Sequence, residues 1–257
     1  MENLFIIIPA RLNSTRLSNK VLEKINGKSL VQHVWERMKH FPNVLIATDT
    51  EKVVKEVRKF KGNVFLTKGN HINGTERCNE VVEKLNLKED DIVINVQCDE
   101  LNIQNDWIKN IYTELSKSKK EIIATITTNL GIQTTKFWKD YNNDPSNVQV
   151  LLDVNNFAKN FRRSNSNVYE SLTYYNYREE NNLKVDHHIG IYGYMVNTLN
   201  KVSKLKITNR EKLEKLEQLR WLENNFQIKC IREKDSHYGF SINTKEDLER
   251  LRNQNIL

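Results

Sequence analysis

The sequence lacks the marks of several large protein classes. It has only three cysteines, Cys78, Cys98 and Cys230, and no CxxC pair among its 257 residues, which argues against a disulfide framework and predicts free thiols in a reducing compartment. No apolar run approaches the length of a bilayer. The stretch "FIIIPA" after Leu4 is far too short and carries no cleavage-site pattern, so a cytoplasmic protein with no membrane insertion is expected. GxxxxGK[ST] is missing, which excludes a P-loop, and no GxGxxG follows the first apolar run, which excludes a dinucleotide fingerprint there. Internal repeats and dividing linkers are absent too, so one domain over residues 1–257 is expected. Lys and Arg outnumber Asp and Glu by 40 to 33, a formal surplus of +7 that favours anionic partners only in general terms. These cations form no continuous stripe with interleaved aromatics, which argues against nucleic acid as a partner.

What is present is an alternation. Apolar runs at 4–8, 43–48, 63–67, 91–96 and 121–127 read as buried strands. Between them Leu30, Val34 and Met38 share a helical face, as do Val53 with Val57 and Val81 with Leu85. The pattern predicts an α/β fold: a mostly parallel twisted sheet with helices on both faces. From about residue 142 the texture changes. "VQVLLD" reads as a further strand, and residues 156–187, polar and aromatic with little period, read as an inserted β-rich excursion. Its "SLTYYNY" suits a contact with a second copy of the chain, although a solvated loop has the same composition. "HHIGIYGYMV" then returns to strand character, "NREKLEKLEQLRWLENN" reads as one amphipathic helix, "FQIKCIRE" as a strand and "TKEDLERLRNQ" as a helix capped by Thr244.

Ligands of a parallel α/β sheet collect beyond the carboxyl ends of its strands, and the loop after the first strand is the commonest place for phosphate. "PARLNSTRLSNK" stands in that loop. Arg11, Arg16 and Lys20 supply charge-assisted donors at a density that suits a triphosphate; a solvated basic loop would carry the same charge. "LIATD" brings Asp49 to the same edge, and "NGTER" opens a helix at a Gly-Thr turn where free amides and Arg77 could hold a base or a phosphate. "DIVINVQCDE" ends its strand with Gln97, Asp99 and Glu100. Carboxylates facing a cation-lined pocket repel a triphosphate unless Mg²⁺ lies between, so Asp99 reads as a metal ligand.

In order and spacing, "IIPARLNSTRLSNKVLEKINGKSLVQHVWER", "IATD", "NGTER", "INVQCDE", "HIGIYGY" and "LEKLEQLRWLE" resemble the 3-deoxy-manno-octulosonate (Kdo) cytidylyltransferase family, the CMP-Kdo synthetases, along nearly the whole chain. "HxGIYGY" followed by "LEQLR" is the specific pair; the other motifs occur in several sugar nucleotidyltransferases. The resemblance implies a nucleotide-diphospho-sugar transferase fold, glycosyltransferase A-like; the homodimer expected here rests on "SLTYYNY". The resemblance also implies Mg²⁺-dependent transfer of CMP from CTP to the anomeric hydroxyl of Kdo, releasing pyrophosphate, for lipopolysaccharide biosynthesis. Carried over by motif, Arg11 and Lys20 hold the CTP phosphates with Arg16 nearby, Ala10, Thr75, Arg77 and Gln97 surround cytosine and ribose, and Asp99 holds Mg²⁺. Arg11, Lys20 and Asp99 then carry catalysis. Gln97, Arg163, His188, Tyr192, Glu214 and Gln218 match positions that contact the acid sugar. Spacing alone puts Glu211, Glu214 and Gln218 on one helix face, where a solvated surface is the alternative; for His188 the alternative is a core histidine, and His187 should point the opposite way. The chemistry is an in-line displacement by the sugar hydroxyl at the α-phosphate, governed by positioning and charge neutralisation.

Several positions depart from the family pattern. "INTKEDL" puts Asn243 where the family has an Asp, so the second metal ligand keeps an oxygen but loses a charge. Cys98 and Leu101 replace Gly and Pro, Gln149 replaces a Lys, and "FRRS" adds Arg162 beside Arg163. The last two changes imply a reshaped acid-sugar site and keep a second acceptor open, an amino-substituted Kdo or another acid. A catalytically impaired nucleotide-binding relative is a third reading, opposed by the retention of Arg11, Lys20 and Asp99.

Overall fold

The computed structural model describes residues 1–12, 17, 19–129, 141, 143–164, 182–233, 242 and 244–254. The chain folds into two compact units built from interleaved segments. The first comprises Met1–Ser116, Gly190–Lys204 and Gly239–Leu257; the second comprises Lys117–Ile189 and Leu205–Tyr238.

The first unit starts with β1 (Leu4–Pro9), a nearly unbroken apolar run of the kind a strand needs when helices cover both of its faces. A single 3₁₀ turn (Lys20–Leu22) leads to a small hairpin, β2 (Lys24–Ile25) and β3 (Lys28–Ser29), closed by Asn26 and Gly27 with φ of 50° and 79°. Both tip residues adopt positive φ, as Asn-Gly turns do. The alternation then runs α1 (Leu30–Met38), β4 (Val44–Thr48), α2 (Glu51–Lys59), β5 (Val64–Leu66), α3 (Gly74–Leu85), β6 (Ile92–Val96) and α4 (Asn105–Lys117). β1 pairs in parallel with β4 and β6, and β4 in parallel with β5. The core holds Ile6, Ile7, Ile8, Ile46, Val93 and Ile94, all fully buried. Each contributes about 1.5–3 kcal/mol of apolar transfer. Leu30, Val34 and Met38 of α1 and Val53 and Val57 of α2 face inward as their spacing predicts, whereas Leu85, at the end of α3, is 38% exposed.

The second unit contains β7 (Ile122–Asn129), β8 (Val148–Leu152), β9 (Ala158–Arg163) and the first half of β10 (Lys184–Met195). β8 is antiparallel to both β9 and β10. The later residues of β10, Ile191–Met195, pair antiparallel with β6 in the first unit, and α5 (Val196–Val202) follows there. Two short helices, α6 (Asn209–Glu214) and α7 (Glu217–Glu223), precede β11 (Gln227–Glu233), which is parallel to β7 in the second unit. The last helix, α8 (Lys245–Gln254), belongs to the first unit. Its start carries a reciprocal cap: Asp247 N–H donates to Thr244 Oγ1 at 3.1 Å, and Thr244 N–H to Asp247 Oδ2 at 2.8 Å.

One sequence expectation needs correction. "NREKLEKLEQLRWLENN" is two helices rather than one, because Lys215 takes φ 54°, the left-handed conformation that ends α6. Glu211 and Glu214 therefore lie on a different helix from Gln218. Leu213, on α6, is 82% exposed, while Leu216 and Leu219 are buried. The segment "SLTYYNY" lies outside the described residues.

Candidate active site

The site of the first unit starts from the exit of β1. Ala10 is fully buried and its N–H donates to the Ala47 carbonyl at 2.8 Å, extending the β1–β4 ladder by one bond before the chain turns out. Arg11, the next residue, is exposed. Arg16 lies outside the described residues. Asn19, with φ 56°, turns the chain into the 3₁₀ turn, so that Lys20 reaches back to the end of β6. There Lys20 Nζ meets Asp99 Oδ2 at 2.6 Å, with the two side chains 11% and 29% exposed. The Asp99 carbonyl also accepts the Ile242 N–H at 3.2 Å; Asn243, the adjacent residue, lies outside the described residues.

The start of α3 packs against the same strand ends. A Cβ placed on Gly74 would lie 2.8 Å from Gln97 Nε2 and 3.0 Å from Pro9 Cγ, so a larger residue there would push the Gln97 amide aside and crowd the end of β1. Gln97 is oriented by donating to Asn95 Oδ1 at 2.8 Å. Asn73 caps the helix by accepting from Glu76 N–H at 2.8 Å. Thr75 is fully buried, with its hydroxyl 3.4 Å from the Tyr194 hydroxyl. Tyr192 is buried and stands opposite Asn95 in the β10–β6 register. A Cβ on Gly190, the first glycine of "GIYGY", would lie 3.1 Å from Glu100 Oε1.

Arg77 is placed differently from a simple nucleotide donor. At 2% exposure its guanidinium donates to Asp49 Oδ2 at 2.9 Å, to Thr67 Oγ1 and to the Lys68 carbonyl at 3.3 Å. It ties α3 to the ends of β4 and β5. Glu80 does the same one turn on, accepting from the Lys68 N–H at 2.9 Å and from His71 Nε2, with Lys84 at 2.6 Å. Burial pushes the Glu80 carboxyl up, but the bonds from Lys84, His71 and Lys68 outweigh it and hold the group at about 2. Sequence reading missed this anchor, although Glu76, Glu80 and Lys84 at spacings of four signal it.

The second unit holds the remaining expected residues. Arg163 donates Nε to the Glu214 carbonyl at 2.9 Å, Nη1 to the Pro145 carbonyl at 2.6 Å and Nη2 to the Lys215 carbonyl at 3.1 Å. Arg163 and Glu214 are thus brought together through the main chain, across the break between α6 and α7. Gln218 is buried on α7. Glu211 pairs with Arg220, a residue 1% exposed, at 2.6 and 2.7 Å. His188 lies 3.0 Å from Thr125 Oγ1 and edge-on to Phe161, and burial pulls it down to about 3. His187 points to the opposite face, as expected, 2.7 Å from the Tyr141 hydroxyl, and burial lowers it to about 4 against the pull of Asp144. Both imidazoles are neutral at pH 7. Gln149 and Arg162 face each other across β8 and β9, with Arg162 Nε donating to Gln149 Oε1 at 2.6 Å.

Comparison with known proteins identifies the family. The family model for cytidylyltransferases matches residues 5–234. The 3-deoxy-manno-octulosonate cytidylyltransferase of Francisella tularensis subsp. novicida is 36% identical over 255 residues, 98% of each chain. That of Fusobacterium nucleatum is also 36% identical, over 96% of this chain and 94% of its own. Among solved structures, CMP:2-keto-3-deoxy-manno-octonic acid synthetase complexed with CTP superposes with a TM-score of 0.78 at 29% identity, covering 97% of both chains. By these matches the chain belongs to the 3-deoxy-manno-octulosonate cytidylyltransferase family.

Proposed function

We propose that the protein transfers CMP from CTP to the anomeric hydroxyl of Kdo, releasing pyrophosphate, as the activation step for lipopolysaccharide assembly. The observation that carries this reading is the meeting of Lys20 and Asp99 at 2.6 Å, at strand ends that also bear Ala10 and Gln97 and against which α3 begins at Gly74. Cation and carboxylate converge where a triphosphate with its metal would sit.

Asp99 fits Mg²⁺: its hard, partly exposed oxygen already holds a cation, the Lys20 ammonium. Asp99 and Asn243 would hold the metal, which supplies neutralisation of charge on the phosphate oxygens. Arg11, Arg16 and Lys20 bind and orient the triphosphate, so that the acceptor hydroxyl meets the α-phosphate in line. Thr75, Arg77 and Gln97 shape the nucleoside end, Arg77 by fixing the start of α3. By motif, Gln97 and Tyr192 of the first unit, and Arg163, His188, Glu214 and Gln218 of the second, are each assigned to the acid sugar. His188 serves there as a neutral hydrogen-bonding group. The reading includes action in the cytoplasm as a homodimer, supported by three buried free thiols and by the tyrosine-rich composition of residues 156–187. Among the described residues, no helix is long and apolar enough to cross a membrane.

The Arg162–Gln149 contact favours a second reading, in which the acceptor is a Kdo variant such as an amino-substituted one. A pyrophosphate-release assay with CTP and Mg²⁺ against Kdo, an amino-Kdo and a sialic acid separates these. Release with Kdo is expected. Release only with the amino sugar supports the variant acceptor, and release with none identifies a catalytically impaired relative.

A further inference from the structure

The proposed reading gives Lys20 and Asp99 separate partners, phosphate for the ammonium and a divalent cation for the carboxylate. In the structure each is the other's partner, at 2.6 Å. Both ends of the contact are held. The 3₁₀ turn fixes Lys20 through Leu22 N–H to Asn19 carbonyl at 2.8 Å and Glu23 N–H to Lys20 carbonyl at 3.0 Å. Asp99 follows the buried Cys98 and is tied through its carbonyl to Ile242. With the two side chains 11% and 29% exposed, this charge-assisted bond is screened less than a fully exposed pair. An ammonium so close covers an oxygen that a hard cation needs.

We propose that Lys20 is a resident counter-ion that keeps Asp99 closed to a divalent cation until nucleotide arrives. A cation alone must displace the ammonium and leave it beside a second positive charge. A nucleoside triphosphate offers Lys20 phosphate oxygens, and the carboxylate is released as the lysine moves to them. Lys20 thereby couples metal and nucleotide binding, and each ligand raises the affinity for the other by the same factor. The inference rests on the reading of Asp99 as a metal ligand and Lys20 as a phosphate ligand.

The test uses Mn²⁺ as probe, with binding to the full chain followed by electron paramagnetic resonance, with and without CTP and with no acceptor present. Wild type is expected to bind Mn²⁺ weakly alone and roughly tenfold more tightly with CTP. Lys20→Met should bind Mn²⁺ alone roughly tenfold more tightly than wild type and lose most of the coupling. Lys20→Met combined with Asp99→Asn should lose that gain, which shows that it runs through the carboxylate. Thermal unfolding checks each variant, and Lys20→Gln serves if the Met variant does not fold. If neither Lys20 variant binds Mn²⁺ alone more tightly than wild type, while Asp99→Asn weakens Mn²⁺ binding with CTP, the counter-ion role is overturned and the metal-ligand reading stands. If Asp99→Asn leaves Mn²⁺ binding with CTP unchanged, the metal-ligand reading falls, and the counter-ion role with it.

Discussion

Arg77 shows how one side chain of the "NGTER" motif sets the position of a whole helix start. Its guanidinium, 2% exposed, bridges Asp49, Thr67 and the Lys68 carbonyl, so removing it leaves a carboxylate and a buried threonine hydroxyl without their donor. Arg77→Met is expected to lower stability by about 3 kcal/mol, as loss of one partner from a buried pair does. Urea unfolding measures this. A raised KM for CTP with unchanged stability would instead assign the guanidinium to the nucleotide. At this scale the sequence was partly legible. Lys20 and Asp99 were legible as charged groups of one sheet edge, with phosphate and Mg²⁺ as their expected partners, but their direct contact was not. The use of Arg77 could not be read, because its acceptors stand 9, 10 and 28 residues away and none advertises the contact.

Among the elements, the glycines of β10 decide what can pack on it. A Cβ on Gly193 would fall 2.2 Å from Ile111 Cγ2 and 2.8 Å from Leu115 Cδ1, so α4 rests directly on the strand backbone. Gly193→Ala should destabilise the protein by about 1–3 kcal/mol through overpacking. Ile111→Ala should restore part of that loss in a double-mutant cycle monitored by denaturant unfolding. The strands of the first half were legible because their apolar runs have strand length, and the helices because their buried positions recur at helical spacing. The break between α6 and α7 was hidden. Residues 209–223 keep a helical pattern throughout, and what marks the break is Lys215 in the left-handed region with Arg163, from a strand about fifty residues earlier, holding the Glu214 and Lys215 carbonyls. A main-chain bond over such separation leaves no periodic trace.

For the molecule as a whole, the buried histidines shape the response to acid. Burial holds His187 at about 4 and His188 at about 3, below the ordinary 6.5. Between pH 6.5 and those values the unfolded chain binds protons that the folded chain refuses, so stability must fall as the pH falls. The slope is up to about 1.4 kcal/mol per pH unit for each histidine. Below pH 4.5 Glu80, held at about 2, adds a loss in the same direction. Denaturant unfolding from pH 7 to pH 4 should show this acid limb, and His188→Gln should make it shallower; an unchanged slope would mean that His188 is protonated in the folded protein. Nothing in the composition foretold this behaviour. Neutrality of these rings comes from their place on β10, with His188 against Phe161 and Thr125 and His187 against Tyr141.

The concealment of every sulfhydryl gives the protein an internal gauge. Cys78 in α3 and Cys98 after β6 belong to the first unit, and Cys230 in β11 to the second, all closed off from solvent. An alkylating reagent reaches each only when its surroundings part, so the order in which the sulfurs become labelled records which half of the molecule loosens first.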